Sequence, residues 1–345
     1  MSRLLAAVLA GVAVLTAVGV EVVRRWALRR LLDIPNARSS HQQPTPRGGG
    51  AAIVVTTVLG WGAFVLITQG SFTRGELGYL AGALLVAGVS WLDDLRTLAS
   101  TTRLATHAGV AAVALASLGW WTALELPLAG TVSLGSLGIV VTALWIVGLT
   151  NAYNFMDGID GIAGGQGVVA GLGWALLGAR SGAPAVAALG AVLAVSCAVF
   201  LRWNWAPARI FMGDVGSAFL GFSFAALPPL AAREAGTAAL LGRWPVLGFL
   251  LVWPFVLDTV ITFLRRLARG ERVLEAHRSH LYQRLTPAGR PHAPVSLLYT
   301  GLAALGLGLA LAPAGPVQAL AVVLGLPLAV LGLWLAVRQR ERATR

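Results

Sequence analysis

The chain has 345 residues, of which 57% are hydrophobic and only 12% are charged, and its formal net charge is +12. A soluble domain carries about twice that charged fraction, so a soluble globular protein is excluded, and the lone Cys197 excludes a disulfide framework. Every one of the 26 basic residues is Arg, and their placement points to an anionic membrane surface and not to nucleic acid.

Apolar runs recur at 4–23, 48–68, 77–92, 104–121, 134–150, 161–179, 183–201, 216–232, 244–264, 293–312 and 317–337. A helix of roughly 20 such residues crosses ~30 Å of hydrocarbon. The expected fold class is all-α: a polytopic membrane protein of about eleven transmembrane helices, a single domain over 1–345. The first run has no small-x-small cleavage site and is followed by arginines, so it reads as a helix and not as a signal peptide. The run 216–232 is short and contains Pro228 and Pro229.

Arginine asymmetry sets the expected orientation. With the N-terminus outside, the inner connections hold Arg24, Arg25, Arg29, Arg30, Arg38, Arg47, Arg96, Arg103, Arg202, Arg209, the arginines from Arg265 to Arg290 and the C-terminal cluster. The outer connections keep only Arg3, Arg74, Arg180, Arg233 and Arg243. All seven aspartates, Asp33, Asp93, Asp94, Asp157, Asp160, Asp214 and Asp258, then fall on the inner side or at the inner end of a helix. The positive-inside rule says nothing about acids; a shared site does.

In chain order, the first polar stretch is DIPNARSSHQQPTPRGGG, 33–50. Its prolines exclude a regular helix and its glycines permit close backbone approach. Arg38, His41 and Arg47 supply donors to an anion. The second, SWLDDLRTLAS, places Asp93 and Asp94 side by side at a helix end. Such a pair is tolerated next to hydrocarbon only with a divalent cation or basic partners. The third, NAYNFMDGIDG, spaces Asn151, Asn154, Asp157 and Asp160 by three. If the preceding helix runs on for another turn, those oxygens share a face and suit a hard ion such as Mg²⁺.

The fourth stretch, FMGDVGS, sets Asp214 between glycines where a helix begins, with Ser217 nearby. Helix-start N–H groups favour phosphate, and Asp214 reads either as a metal ligand or as a helix cap. The fifth lies in the long basic segment 257–285, which ends in HRSHLYQRL with His277, Arg278 and His280. Its His-x-x-His spacing lacks the glutamate and the i,i+4 geometry of a zinc helix; donors to a phosphate or sugar fit better. His107 and His292 read as interfacial or structural. No P-loop and no nucleophile elbow occurs.

Together the stretches PNARSSHQQPTPRGGG, LDDLRTL, NAYNFMDGIDG, FMGDVGS and HRSHLYQRL resemble those of the polyprenyl-phosphate N-acetylhexosamine-1-phosphate transferases, the WecA and MraY superfamily or glycosyltransferase family 4. Each motif alone is modest; five in order on one face are specific. The resemblance implies an eleven-helix fold and transfer of a sugar-1-phosphate from a UDP-sugar to undecaprenyl phosphate, releasing UMP. It implies Asn154 and Asp214 as ligands of Mg²⁺, with Mn²⁺ as a substitute, and Asp157 facing the nucleotide and metal. Asp160 is grouped with the catalytic acids and Asn151 with the substrate-binding residues. Asp93 and Asp94 are implied beside the attacking lipid phosphate, one of them as proton acceptor, and His277, Arg278 and His280 against the diphosphate or sugar.

HRSH is unlike the triple-histidine stretch of the MraY branch. RSSH followed by PTPRGGG resembles the branch that starts O-antigen-type chains, where the sugar can be FucNAc or QuiNAc; WecA-like GlcNAc transfer is the close alternative. The implied partners are undecaprenyl phosphate, a UDP-N-acetylhexosamine and the lipid bilayer, with a homodimer compatible. The implied location is the bacterial inner membrane with the site facing the cytoplasm. A pentapeptide transferase of the MraY type is one alternative. A transporter is another, but it would carry acids near the bilayer midplane and internal repeats, whereas the acids here gather at helix ends. The compact motif of the CDP-alcohol phosphotransferases does not occur.

Overall fold

In hydrocarbon every backbone N–H and C=O must find a partner within the chain, and helices meet that requirement segment by segment. The computed structural model of this chain, which describes residues 2–35, 43–236, 241–272, 277–286 and 291–343, follows that rule. Its helices are α1 (Ser2–Arg30), α2 (Gly50–Gln69), α3 (Arg74–Arg96), α4 (Ser100–Leu118), α5 (Leu137–Phe155), α6 (Ile162–Arg180) and α7 (Pro184–Asn204), followed by α8 (Asp214–Ala235), α9 (Trp244–Ala268), the short α10 (Leu281–Leu285), α11 (Ala293–Leu311), α12 (Pro316–Leu320) and α13 (Leu326–Ala343). A π-helical turn, Ala321–Gly325, joins the last two into one continuous span.

Among the described residues, ten spans are long and apolar enough to cross a membrane. Helix α4 occupies the remaining expected span; Thr101, Thr102, Arg103 and His107 in its first two turns make it less apolar than the others. The chain is an all-α polytopic membrane protein. Helix α1 runs seven residues past its expected end at 23, because Glu21 pairs with Arg24 and Arg25 one turn on, at 2.9 and 2.7 Å.

The strands are few. β1 (Leu32–Asp33) pairs antiparallel with β2 (Thr45–Pro46). β3 (Ala123–Leu126) and β4 (Gly130–Ser133) form a hairpin between the expected spans 104–121 and 134–150. The amide of Glu125 in that hairpin donates to Gly242 O at 2.8 Å, tying it to the approach to α9.

Helix α8 is the axis of the bundle, buried over most of its length against α3, α5, α2 and α9. It passes through Pro228 and Pro229 without ending. A proline removes the N–H that would serve the carbonyl four residues back. For Pro229 that carbonyl is Ala225 O, and the indole of Trp145 on α5 donates to it at 3.2 Å. Pro254 lies inside α9, and the buried Gln166 of α6 donates to the nearby Leu251 O at 2.7 Å. The carbonyl that Pro229 leaves free is thus served by a donor from a neighbouring helix, which no local pattern shows.

Small residues let the spans approach closely. A Cβ added at Gly171 of α6 would lie 2.7 Å from Gly190 O of α7, and one at Gly221 of α8 would lie 2.9 Å from Thr150 Cα of α5. The packing brings the C-terminal ends of α3, α5, α7 and α9 and the N-terminal ends of α2, α4, α6, α8 and α11 to one end of the bundle. The hydrogen bonds described next connect them. The hairpin and the Glu125–Arg243 pair lie at the opposite end.

Trp145→Phe keeps an aromatic ring and removes the donor, leaving Ala225 O orphaned. We expect a loss of about 1–3 kcal/mol, read as a lower thermal unfolding midpoint in detergent.

Candidate active site

The site is built on the joint between α3 and α8. Asp94 lies in the last turn of α3, with its side chain only 1% exposed. Its Oδ1 accepts from the amide of Asp214 at 3.1 Å, and its Oδ2 from the amide of Val215 at 3.0 Å. A helix start has four amides without helical partners, and here the next two, of Gly216 and Ser217, both donate to Gly213 O at 3.1 Å. Gly213 has φ +77°, and a Cβ on it would stand 2.7 Å from Asp94 Oδ2; only glycine lets the carboxylate come in. This corrects two expectations. The start of α8 is not an open phosphate cradle, because Asp94 and Gly213 O use its amides. Asp214 is not its own helix's cap, because Asp94 provides the cap from another helix.

The glycine stretch is held to the same joint. The amides of Gly49 and Gly50 donate to Phe211 O and Met212 O at 3.0 and 2.8 Å, and that of Phe211 donates to Pro46 O at 2.8 Å. A Cβ on Gly50 would lie 2.3 Å from Gly216 Cα. This contact carries Arg47 to Asp94, where its guanidinium donates to the Asp94 carbonyl and its Nε stands 3.9 Å from Oδ1. Arg38 and His41 of the same stretch lie outside the described residues.

Asp214, the first residue of α8, projects from this joint with its side chain 35% exposed. The carboxamide nitrogen of Asn154, in the last turn of α5, donates to Asp214 Oδ1 at 2.9 Å and to Ser217 Oγ at 3.1 Å. Ser217 Oγ in turn donates to Gly213 O at 3.2 Å, so the buried hydroxyl orients Asn154 and has no proton left for a ligand. Arg103 of α4 bridges two acids, 3.1 Å from Asp93 Oδ2 and 3.6 Å from Asp214 Oδ2. Asp93 also accepts from the amide of Leu98. The acid pair of α3 is thus tolerated through basic partners and backbone amides, and Arg103 is a site residue that the sequence reading did not single out. Its signal was its position at the start of the helix that follows the acid pair.

Helix α5 stops at Phe155, so the expected shared face does not extend to Asp157. Gly158 and Gly161 turn the chain away instead. Asn154 faces Asp214, whereas Asn151 donates to Val147 O of its own helix at 2.7 Å and also interacts with His107. Asp157 lies half-buried in the turn; burial, and then the charges of Asp214, Asp94 and Asp160, push its carboxyl well above the usual range. Asp160 faces elsewhere. Its Oδ2 accepts from the amide of Ala208 at 3.0 Å, its Oδ1 lies 3.1 Å from His292 Nδ1, and its carbonyl accepts from Ser296 at 2.6 Å. Asp160 braces α6 against α11 and the 206–210 turn, and it does not join Asp214.

The late basic segment returns to the same end. Tyr282 donates its hydroxyl proton to Phe155 O at 2.9 Å, and the ring centroids of Phe155 and His280 are 6.3 Å apart. His277 stacks on His280 at 5.0 Å and exchanges a hydrogen bond with Ser279 at 2.9 Å. Arg278 donates to Thr286 O at 3.1 Å. Burial, followed by the neighbouring His280 and Arg266, pushes the His277 imidazole down to about 4, so it is neutral near pH 7.

A divalent cation fits this donor set. Among the described residues no three His, Cys, Asp or Glu side chains form a metal cage. Mg²⁺ seldom needs one: it takes one or two carboxylates, keeps waters and shares substrate phosphates. Asp214, part-exposed and beside the Asn154 carboxamide, offers oxygen donors of that kind, with Asp157 in the adjoining turn.

Acids, a carboxamide and guanidinium groups collect at one end of a helical bundle, a donor set suited to anionic ligands. Residues 77–230, which span α3 to α8, match the model for glycosyl transferase family 4. The chain is 30% identical over 274 residues to a probable undecaprenyl-phosphate N-acetylglucosaminyl 1-phosphate transferase of Bacillus subtilis, covering 79% of this chain and 74% of that protein. It is 31% identical over 325 residues to a decaprenyl-phosphate N-acetylglucosaminephosphotransferase of Mycolicibacterium smegmatis, covering 85% and 79%. It is 31% identical over 316 residues to a phospho-N-acetylmuramoyl-pentapeptide-transferase of Synechococcus, covering 87% and 88%. The chain belongs to glycosyl transferase family 4.

Two outcomes test this architecture. Asp94→Ala removes the cap of α8, so the unfolding midpoint should fall by the equivalent of about 0.5–2 kcal/mol. Asp214→Asn keeps an acceptor for Asn154 and removes one charge from a crowd of acids, so the midpoint should hold or rise. For His277 the folded value lies below the ordinary 6.5, so the unfolded segment binds a proton that the folded one refuses. Its contribution is present above pH 6.5 and is lost as pH falls toward about 4. Hydrogen exchange of the 277–286 amides should accelerate across that window in the native chain, and His277→Gln should flatten the dependence.

Proposed function

We propose that this protein transfers an N-acetylhexosamine-1-phosphate from a UDP-sugar to undecaprenyl phosphate, giving undecaprenyl-diphospho-sugar and UMP, with Mg²⁺ as the cofactor. The single observation that carries the reading is the cluster of Asp214, Asn154 and Arg103, with Asn154 and Arg103 at 2.9 and 3.6 Å from the same carboxylate at a helix-end surface. A lipid-linked phosphate would meet a water-soluble nucleotide at such a place. The site end carries most of the arginines, which by the positive-inside rule supports a site facing the cytoplasm.

The chemistry asks little of a base. A phosphate monoester, with a second pKa near ~6, is largely a dianion at neutral pH. Its oxygen forms a bond to the β-phosphorus of the UDP-sugar. The bond from that phosphorus to the oxygen bridging the two phosphates breaks, and that oxygen leaves with UMP. The difficulty is bringing two anions together, which makes charge neutralisation the main device. Arg47 and Arg103 supply fixed positive charge at the joint, while Asp214 and Asn154 would hold Mg²⁺. When bound, the ion neutralises the diphosphate. Asp94 holds the start of α8 and therefore the position of Asp214; the half-buried Asp157 borders the same space. His277, Arg278 and His280 would face the diphosphate or the sugar end of the donor.

The names of the relatives favour N-acetylglucosamine as the sugar over the deoxy sugars of O-antigen initiation. Purified protein with labelled UDP-N-acetylglucosamine, polyprenyl phosphate and Mg²⁺ should release UMP and move label into an organic-soluble lipid. Asp214→Asn should lower that rate ~100-fold or more, and chelation should abolish it. Absence of label transfer from the whole panel of UDP-N-acetylhexosamines would overturn the reading; transfer from only a deoxy sugar would reassign the donor.

A further inference from the structure

Asp258 lies outside the five motifs, yet its carboxylate is the most fully engaged group near the site. It sits on α9 with its side chain 1% exposed. Its Oδ1 accepts from the amide of Leu281 at 2.9 Å and from Thr262 Oγ1 at 3.2 Å, and faces His280 Nδ1 at 3.2 Å. Its Oδ2 accepts from the amide of Tyr282 at 3.1 Å and from the Tyr299 hydroxyl at 2.5 Å. A carboxylate has roughly four lone-pair sites, and five donors converge on this one, so it acts as an acceptor only. The amides of Leu281 and Tyr282 cap the start of α10 on Asp258, and the contact with Nδ1 of the N-cap residue His280 adds an orienting interaction to that cap.

An imidazole that donates Nδ1–H to a carboxylate has its tautomer and ring direction fixed, and only Nε2 remains to meet a ligand. The His280 ring is held from the sides as well, by His277 at 5.0 Å and Tyr282 at 5.8 Å between centroids. Phe155, next in sequence to Asn154, lies 6.3 Å from it, and the Tyr282 hydroxyl anchors the segment to the Phe155 carbonyl. The ring is thus locked beside the end of α5 that carries Asn154.

We infer that Asp258 is a positioning residue for the transfer reaction: it holds His280 with the proton on Nδ1, so that Nε2 stands as an acceptor for a hydroxyl or N-acetyl N–H of the donor sugar. The inference rests on the transferase reading for its substrate, but the tautomer it specifies is a property of the protein alone. In Asp258→Asn the amide can donate to Nδ1. The proton then moves to Nε2, which changes from an acceptor to a donor.

Two measurements test this. The ¹⁵N chemical shifts of the imidazoles in slightly alkaline detergent solution, with His280 assigned by its loss in His280→Ala, should show His280 protonated on Nδ1 in the native chain. A native His280 protonated on Nε2 overturns the inference, even if Asp258→Asn fails to fold. In the UMP-release assay, Asp258→Asn should lower kcat/KM for the UDP-sugar ~10–100-fold, and should add nothing in the His280→Ala background. Equal losses in both backgrounds would mean that Asp258 only braces the fold, which also overturns the inference. If the native chain releases no UMP with any donor, the transferase reading fails while the NMR result still decides the tautomer.

Discussion

The carboxylate of Asp94 spans a gap between two helices. It belongs to α3 but closes the start of α8, taking the amides of Asp214 and Val215 on its two oxygens. A negative charge at a helix N-terminus is favourable, and a buried one that accepts two amides and faces Arg47 is matched to its surroundings. The rest of the site follows from that contact. Asp214 cannot drift, because its own backbone is held; Asn154 and Arg103 then have a fixed carboxylate to meet. The glycines at 213, 50 and 216 are needed because side chains there would occupy the space through which the strands and helix starts approach one another.

A catalyst for two anionic substrates needs positive charge, yet this end of the bundle gathers acids. The conflict is resolved by dividing the acids according to their partners. Asp93, Asp94, Asp160 and Asp258 are buried and matched by amides, hydroxyls, histidines or arginines. Each serves as an internal brace joining separate elements: α3 to α4, α3 to α8, α6 to α11, and α9 to the segment at 280–282. Asp157 and Asp214 remain nearer the surface, in mutual repulsion. Excess negative charge of this kind favours binding a cation, which would release Arg103 from Asp214 to face phosphate.

Much of this was legible in the sequence, because membrane spans are read from long apolar runs and because the positive-inside rule leaves acids unconstrained. The gathering of all seven aspartates at one side was therefore informative. The limits were equally physical. A stepping of three from Asn151 to Asp157 implies one face only if the helix continues, and α5 ends at Phe155. The hairpin at 123–133 is held by a distant carbonyl, Gly242 O, so its own short strands carried little signal. The prolines of α8 read as interruptions because the donor that compensates one of them, Trp145, comes from another helix. Arg103 was counted among the inner charges but not placed at the site, since nothing local in α4 announces two acids across the helix boundary.

The least legible property was which acids already have their oxygens engaged. Asp93, Asp94, Asp157 and Asp214 have the same chemistry and comparable motif settings, so sequence alone groups them. In the structure they differ in how many of their acceptors are already used. Asp94 has both oxygens committed to amides, and a proton acceptor for the lipid phosphate would have to give up part of the cap of α8. Asp214 shares one oxygen with a carboxamide that can itself turn toward a metal, and its other oxygen lies 3.6 Å from a guanidinium that could as well meet phosphate. Exchanging those partners for substrate leaves the backbone in place, whereas drawing Asp94 away would loosen the helix that positions Asp214. A dianionic nucleophile needs little help from a base, so the arrangement can keep Asp94 as a brace throughout the reaction and let the partners of Asp214 change.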